Sequence, residues 1–401
     1  MVIDLEHCKD LDAADPMAGL HNRFEAGEEG TIYLDANSLG PLPADAAARL
    51  EAALAEVWGR GRSRSWANPQ WIGAPARIGA KLARLIGAED DEVIVGDGTS
   101  VNLFKLLMAA LALQPKARRV ILSERDNFPS DLHIAQGIVG LRGHSYELKM
   151  VEQGDDILAA INEEVSVVTL THASFRTGAC HDLKAITHRA HQAGALVVWD
   201  ISHSVGATEV DLNSAGVDFA VGCGYKYLGG GPGSPAFAFV RRDLQATARN
   251  PLSGWMSHAD TMSFETDYRP ANGMRRFLCG SPEVLALTVL EAALDVWEGI
   301  DPGLAFEKNR ALTGLFIDLV EQELSSFGFT IITPKETDRR GGQVTIGHQR
   351  GAELSEALIK AGVLCSFRPP NAMRFGFQPF CLRFTDLWEA VGRLRGVVEK
   401  A

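Results

Sequence analysis

A repeated alternation constrains this chain more than anything else in it. Between residues 91 and 240, short apolar runs that end in polar residues alternate with stretches of helical apolar spacing. "DEVIVGDGTS" leads into "VNLFKLLMAALAL", and "RRVILSERDNFPSD" runs from strand through loop into helix. "VSVVTLTHAS" is followed by "LKAITHRAHQAG", whose last glycine is a helix C-cap signal. "ALVVWDISHS", "VDFAVGCGYKY" and "SPAFAFV" add three more strands. Short apolar strands separated by helices predict an α/β fold, a mostly parallel sheet covered by helices on both faces. Ligands bind such sheets at the carboxyl ends of the strands. Thr99, Ser100, Asp131, Thr171, Asp200, His203 and Lys226 all fall at those ends.

Helical spacing also predicts helices over 45–58 and 76–87. Beyond about residue 285 the pattern changes. Two long helical stretches lead into the strand-like segments "TIITP", "GGQVTIGH" and "VLCSFRPP", with the helix "GAELSEALIKAG" before the last. The expected division is an N-terminal arm over 1–45 that begins the small domain, a large domain over 46–285, and a small α+β domain over 286–401.

Composition narrows the partners. The 401 residues carry a formal charge of −12, which argues against nucleic acid and anionic membrane. The start "MVIDLEHCKDLDAADP" has no apolar core and reads as neither a signal nor a transit peptide. The six cysteines, Cys8, Cys180, Cys223, Cys279, Cys365 and Cys381, show no CxxC spacing. A reduced, cytoplasmic protein is expected.

Within "GYKYLGGGPG", Lys226 follows an apolar strand and precedes four glycines in five residues. Taken alone it reads as a surface lysine. The order is the reverse of a Walker phosphate loop. A lysine in a partly desolvated site can instead form a Schiff base with an aldehyde, and pyridoxal 5′-phosphate (PLP) is the common aldehyde cofactor. Such a cofactor wants an acid at its ring nitrogen, for which Asp200 stands at a strand end. Its phosphate suits a helix start such as Thr99 and Ser100 in "GDGTSVNLF". Each of these polar residues, alone, reads as a helix cap; the acid and hydroxyls spaced before the lysine form the more specific signal. Asp200 and His203 also fit the D-x-x-H spacing of a metal pair, but with Lys226 nearby the cofactor reading is preferred. His188 and His191, one helical turn apart without an evident third ligand, read as a solvated helix face, and no metal is expected.

The stretches "YLDANSLGPLP", "NFPSDLHIA", "WDISHSVGATEVDL", "GYKYLGGGPGSPAF", "PLSGWMSH" and "MRFGFQP" together resemble the kynureninase family, especially its bacterial type. The resemblance runs over nearly the whole chain. It implies a fold type I PLP enzyme close to the class V aminotransferases. It also implies a homodimer with active sites at the subunit interface, and hydrolysis of L-kynurenine, a small amino acid, to anthranilate and L-alanine. By the same resemblance Lys226 is the Schiff-base lysine and Asp200 the partner of the ring nitrogen, with His203 near it. Phe128 stacks on the ring, with Asp131 and Thr171 in the pocket. Thr99, Ser100 and Tyr225 cradle the phosphate, and Tyr225 is also a proton relay. Trp255 and Ser281 are contacts supplied by the partner subunit. Arg374 grips the substrate carboxylate, and Ser38 and Trp66 line the substrate pocket. Ser281 departs from the family's threonine or asparagine but keeps a hydroxyl. The Pro-Pro of "FRPPNAMRF" replaces a charged residue ahead of Arg374.

Two other readings compete. A cysteine desulfurase needs a cysteine on a mobile loop before the carboxylate arginine. Cys365 precedes Arg374, but "GVLCSF" alternates like a strand and predicts a buried thiol. A non-catalytic regulator with the same domain carries a DNA-binding helix-turn-helix ahead of it, whereas here the Tyr33–Gly40 motif comes almost at once.

Overall fold

In the computed structural model, which describes residues 2–67, 69–143, 145–152 and 156–400, the alternating segments form one seven-stranded sheet. Five strands run parallel in the spatial order Phe219–Gly222, Leu196–Asp200, Val165–Thr171, Val120–Glu124 and Glu147–Val151. Phe237–Val240 pairs antiparallel with Phe219–Gly222, and Val93–Val95 pairs antiparallel with Phe237–Val240. Two reversals restore direction, so Val93–Val95 points its carboxyl end the same way as the five parallel strands.

The strand chemistry follows from burial. Val165–Thr171 is buried at all seven positions, as a strand covered on both faces must be. Glu147–Val151 is the edge strand; its exposed and partly buried positions alternate. The "ELKMV" run escaped the sequence reading because its charges hide so short a strand. On one face of the sheet, helix Thr99–Leu113 packs Leu103, Leu106, Leu107 and Ala110 against Ile121, Val167, Val198 and Phe219. Each fully buried leucine of that face contributes roughly 1.5–3 kcal/mol of transfer free energy. On the other face, Leu122, Val168, Leu170 and Trp199 meet Ile78, Leu82, Ile186, Leu287 and Leu290. The first long helix is Ala46–Ala52 continued by the wider π-helical stretch Ala53–Arg60.

A second apolar cluster gathers Leu312, Phe316, Leu319, Val344, Met373, Phe375 and Leu387 with Cys8, Ile32 and Leu34 from the N-terminal arm. Its four-stranded antiparallel sheet runs in the order Ser366–Arg368, Ala372–Gly376, Gln343–Gly347, Thr330–Ile331. The run "VLCSFRPP" is two strands rather than one. Val363–Leu364 pairs parallel with Ile32–Tyr33, and Ser366–Arg368 belongs to the four-stranded sheet. Cys365, between them, is buried.

Candidate active site

The carboxyl ends of the large sheet bring the polar residues together. Thr171 and Asp200 are register partners on adjacent parallel strands. The Asp200 carboxylate accepts from the Ser202 amide at 2.7 Å, and the Thr171 hydroxyl is 3.4 Å from Asp131 Oδ2. Lys226 is 9 % exposed, and its Nζ lies 5.7 Å from the ring centres of both Phe128 and Tyr225. Phe128 stands edge-on to Phe175 with ring centres 5.2 Å apart. Burial pushes the Asp131 carboxyl well up; neighbouring Asp200 adds to this, and Lys226 and Thr171 oppose it. Burial pushes the His203 imidazole well down, helped by the charges of Lys226, Arg374 and Arg368. Burial likewise raises the Tyr225 phenol, with Cys223 and Asp200 contributing. The second tyrosine of the motif has another task. Buried Tyr227 donates to the Gly342 carbonyl at 3.0 Å and ties the lysine loop to the smaller sheet's side of the molecule.

Asn127, absent from the sequence reading, organises this cluster. Its Oδ1 accepts from the amides of Phe128 and Thr171 at 2.8 and 3.1 Å and from the Thr171 hydroxyl at 2.5 Å. Its Nδ2 donates to Ser123 Oγ at 3.1 Å. One buried amide thus locks the Phe128 loop onto the end of the neighbouring strand. The only signal in the sequence was its place beside Phe128.

The smaller sheet supplies the cationic end of the site. Arg374 is 1 % exposed and stands opposite Ser366 in the antiparallel ladder. Its NH1 donates to the Phe175 carbonyl at 2.6 Å, and its NH2 to Ser38 Oγ and Ser366 Oγ at 3.2 and 3.0 Å. Ser38 in turn donates to Asp35 at 2.9 Å. Burial pushes the Arg374 guanidinium down to about 10, and Arg368 adds to that. Burial raises the Asp35 carboxyl, countered by hydrogen bonds from Ser366 and Ser38. Asp35, Ser366 and Arg368 were also missed by the sequence reading. They meet Arg374 only through strand register and the parallel pairing of Ile32–Tyr33.

The remaining candidates lie elsewhere. Thr99 and Ser100 open helix Thr99–Leu113, and Ser100 Oγ sits 3.0 Å from Ser130 Oγ, beside the helix that carries Asp131. Trp66 meets Trp255 edge-on at 5.9 Å. Ser281 is exposed, two residues past Cys279, whose carbonyl accepts from the Met256 amide. Among the described residues, Trp66, Trp255 and Ser281 make no hydrogen bond or ring contact with the Lys226 cluster.

The arrangement suits the cofactor expected from the sequence. His203 Nδ1 is buried with no hydrogen-bond partner among the described residues, and the charges of Lys226 and Arg374 act on its ring. A Cβ added at Gly98, the residue capping helix Thr99–Leu113, would meet nothing within 4 Å, so the helix start is open to a phosphate. An amine, acids, an aromatic face and a helix start are the groups that PLP requires.

Comparison with known proteins agrees. A family profile described as the kynureninase C-terminal domain matches residues 306–394. Kynureninase from Pseudomonas fluorescens is 45% identical over 396 residues, covering 98% of this chain and 95% of that protein. Kynureninase from Burkholderia mallei (strain SAVP1) is 44% identical, covering 97% and 94%. Among solved structures, the apo cysteine desulfurase of Thermococcus onnurineus NA1 superposes with a TM-score of 0.78 at 18% identity over 98% of each chain. A C-DES mutant with glycine covalently linked to its PLP cofactor superposes with a TM-score of 0.80 at 16% identity, over 94% of this chain and 98% of that one. These structural likenesses establish the fold type I architecture, and the full-length sequence identity establishes that the chain belongs to the kynureninase family.

Proposed function

We propose that this chain hydrolyses the Cβ–Cγ bond of L-kynurenine, giving anthranilate and L-alanine in tryptophan catabolism, with PLP as cofactor. The same chemistry would turn 3-hydroxy-L-kynurenine into 3-hydroxyanthranilate. The observation that carries the reading is the convergence of Lys226, Asp200, Asp131 and Phe128 at the strand ends, with Arg374 buried nearby, in a chain of this family.

Asp200 would hold the ring nitrogen, Phe128 the ring face, and Thr99, Ser100 and Tyr225 the phosphate. Asp131, Thr171 and His203 would line the ring pocket. When bound, PLP supplies an aldehyde for the substrate amine and an electron sink that lets the Cα proton leave and the Cβ–Cγ bond break. Lys226 Nζ would take the Cα proton, and water adding to the γ-carbonyl would supply the oxygen of the new anthranilate carboxyl. The Tyr225 hydroxyl, kept protonated by burial, would relay a proton to Cβ, which becomes the methyl of L-alanine. Arg374 takes the substrate carboxylate. A carboxylate is a stronger partner for a guanidinium than the two serine hydroxyls now bound to NH2. Ser38 and Trp66 would shape the substrate pocket.

Two chains would complete the site, each lending Trp255 and Ser281 to the other. Trp58, 56 % exposed, and the exposed Leu42 and Leu54 offer apolar surface for that association. The cytoplasm is the proposed location; no helix of the described residues is long and apolar enough to cross a membrane. Residues 46–285 would form the large domain, and 1–45 with 286–401 the small one, with the segment through Phe306 packed on the large sheet.

The desulfurase alternative is disfavoured. Cys365 is buried, and burial pushes its thiol up to about 12, where a nucleophilic thiolate is scarce at neutral pH.

The test is anthranilate fluorescence after adding L-kynurenine to PLP-loaded protein, with 3-hydroxykynurenine in parallel. Lys226→Ala should abolish product from both. Full turnover by that variant would overturn the mechanism, and sulfide release from cysteine without anthranilate would overturn the function.

A further inference from the structure

Lys105 is the most deeply buried lysine amine that the mechanism leaves without a task. It lies in the second turn of helix Thr99–Leu113 and is 1 % exposed. Its Nζ reaches back past the helix start and donates to Asp97 Oδ2 at 2.8 Å and to the Phe277 carbonyl at 2.6 Å. Burying an ammonium is costly, and an apolar side chain at the same place would be tolerated at least as well for packing alone. The two bonds therefore ask for a reason.

Asp97 belongs to the turn that opens the helix. Its backbone has φ 56, a left-handed conformation that non-glycine residues seldom adopt. The turn is held from several sides. Asn102 Nδ2 donates to the Gly96 carbonyl at 2.8 Å, the Ala236 amide donates to the Asp97 carbonyl at 2.8 Å, and Lys105 fixes the Asp97 side chain. The conformation of Asp97 and Gly98 decides where the first free amides of the helix point. It also leaves a carboxylate beside an expected anion site, and Lys105 neutralises that carboxylate.

The second bond holds the segment that, in the proposed dimer, serves the partner's site. Past Phe277 the chain continues through Cys279, whose carbonyl accepts from the Met256 amide at 3.3 Å, to Ser281. A Cβ on Gly254 would lie 2.2 Å from that same carbonyl, so Trp255 is seated directly on this segment.

We propose that Lys105 is a positioning residue for the cofactor phosphate. By pinning and neutralising Asp97 it aims the helix-start amides at the phosphate. Through Phe277 it ties that turn to the segment carrying Trp255 and Ser281. The proposal rests on the reading that Thr99 and Ser100 open the phosphate site.

Phosphate dependence isolates the effect. Dissociation constants of PLP and of pyridoxal, which lacks the phosphate, are measured on cofactor-free protein by quenching of intrinsic fluorescence. The proteins compared are wild type, Lys105→Met, the milder Lys105→Gln, which keeps a donor for Phe277, and Lys105→Arg. Lys105→Met and Lys105→Gln should weaken PLP about tenfold and leave pyridoxal within about twofold. Lys105→Arg should hold PLP close to the wild-type level. Should Lys105→Met not fold, Lys105→Gln carries the comparison. Unchanged PLP affinity, or equal loss of PLP and pyridoxal, would overturn the proposal. A wild-type protein that binds PLP no better than pyridoxal would instead overturn the phosphate-site reading beneath it.

Discussion

Asn127 shows how one buried amide can fasten a loop to a strand end. Its carbonyl oxygen accepts from two amides and one hydroxyl, all buried or half-buried. Truncation to alanine strands those donors, and each unsatisfied buried donor costs about 1–3 kcal/mol. Asn127→Ala should lower the unfolding free energy by a few kcal/mol in urea titration. It should also cut kcat/KM about 100-fold, because Phe128 and Thr171 lose their common anchor. Normal kinetics in a stable Asn127→Ala protein would show that the Phe128 loop holds itself. At this scale the sequence was legible where a residue ends a strand, as with Thr171 and Asp200; Lys226, expected at a strand end, stands in the loop four residues past Phe219–Gly222. It was silent on Asn127, Asp35, Ser366 and Lys105. Each of these works through a partner at least several residues away that only the fold brings near, and nothing in local composition marks such a pairing.

The glycine-rich loop after Lys226 takes its path from glycine. Gly229, Gly231 and Gly233 have φ of 76, 78 and 76, so the loop follows a path closed to most side chains. The N-terminal arm crosses it closely. The Gly40 amide donates to the Tyr225 carbonyl at 2.8 Å, and a Cβ on Gly40 would lie 2.1 Å from the Lys226 carbonyl. Gly40→Ala should therefore displace the backbone of the lysine itself, lowering both cofactor occupancy and stability by an overpacking cost of about 1–3 kcal/mol. Gly392→Ala is the contrasting change. Gly392 lies in helix Phe384–Lys400 with nothing within 4 Å of an added Cβ, so alanine there should stabilise by about 0.5–1 kcal/mol. Thermal unfolding of the two variants beside wild type checks both directions. Equal small effects would mean that the arm yields freely at Gly40. Elements as such were largely readable, because burial on both sheet faces writes continuous apolar runs. The antiparallel direction of Phe237–Val240 and the break inside "VLCSFRPP" were not, since apolar pattern carries no strand direction and does not say which of two sheets a run will join.

At the scale of the whole molecule, folding buries His172 and His203 with their protons disfavoured and so links stability to pH. His172 continues the strand that carries Thr171, its amide donates to the Asp200 carbonyl at 2.8 Å, and its ring lies edge-on to Trp199. His172 Nδ1 is 2.7 Å from Ser204 Oγ. Burial pushes His172 down to about 4; the charge of His181 adds to this, while a backbone hydrogen bond with His181 and the charge of Asp182 oppose it. His203 is shifted the same way, chiefly by burial. Above about pH 6.5, the ordinary histidine value, both rings are neutral in the folded and unfolded chain and contribute no pH dependence. Below it the unfolded chain takes up protons that the folded chain refuses, so stability falls as pH falls. Asp131 acts in the opposite sense, since its raised carboxyl keeps a proton more readily in the folded state. For His172 alone the loss between pH 6.5 and 5 is about 2 kcal/mol. His172→Asn should be less stable than wild type at pH 7, having lost ring packing. Between pH 7 and pH 5, however, it should lose about 2 kcal/mol less than wild type does in urea titrations of cofactor-free protein. An equal loss in both proteins would mean that His172 takes its proton within the folded state, and that the strand ends behind Asp200 are open to water.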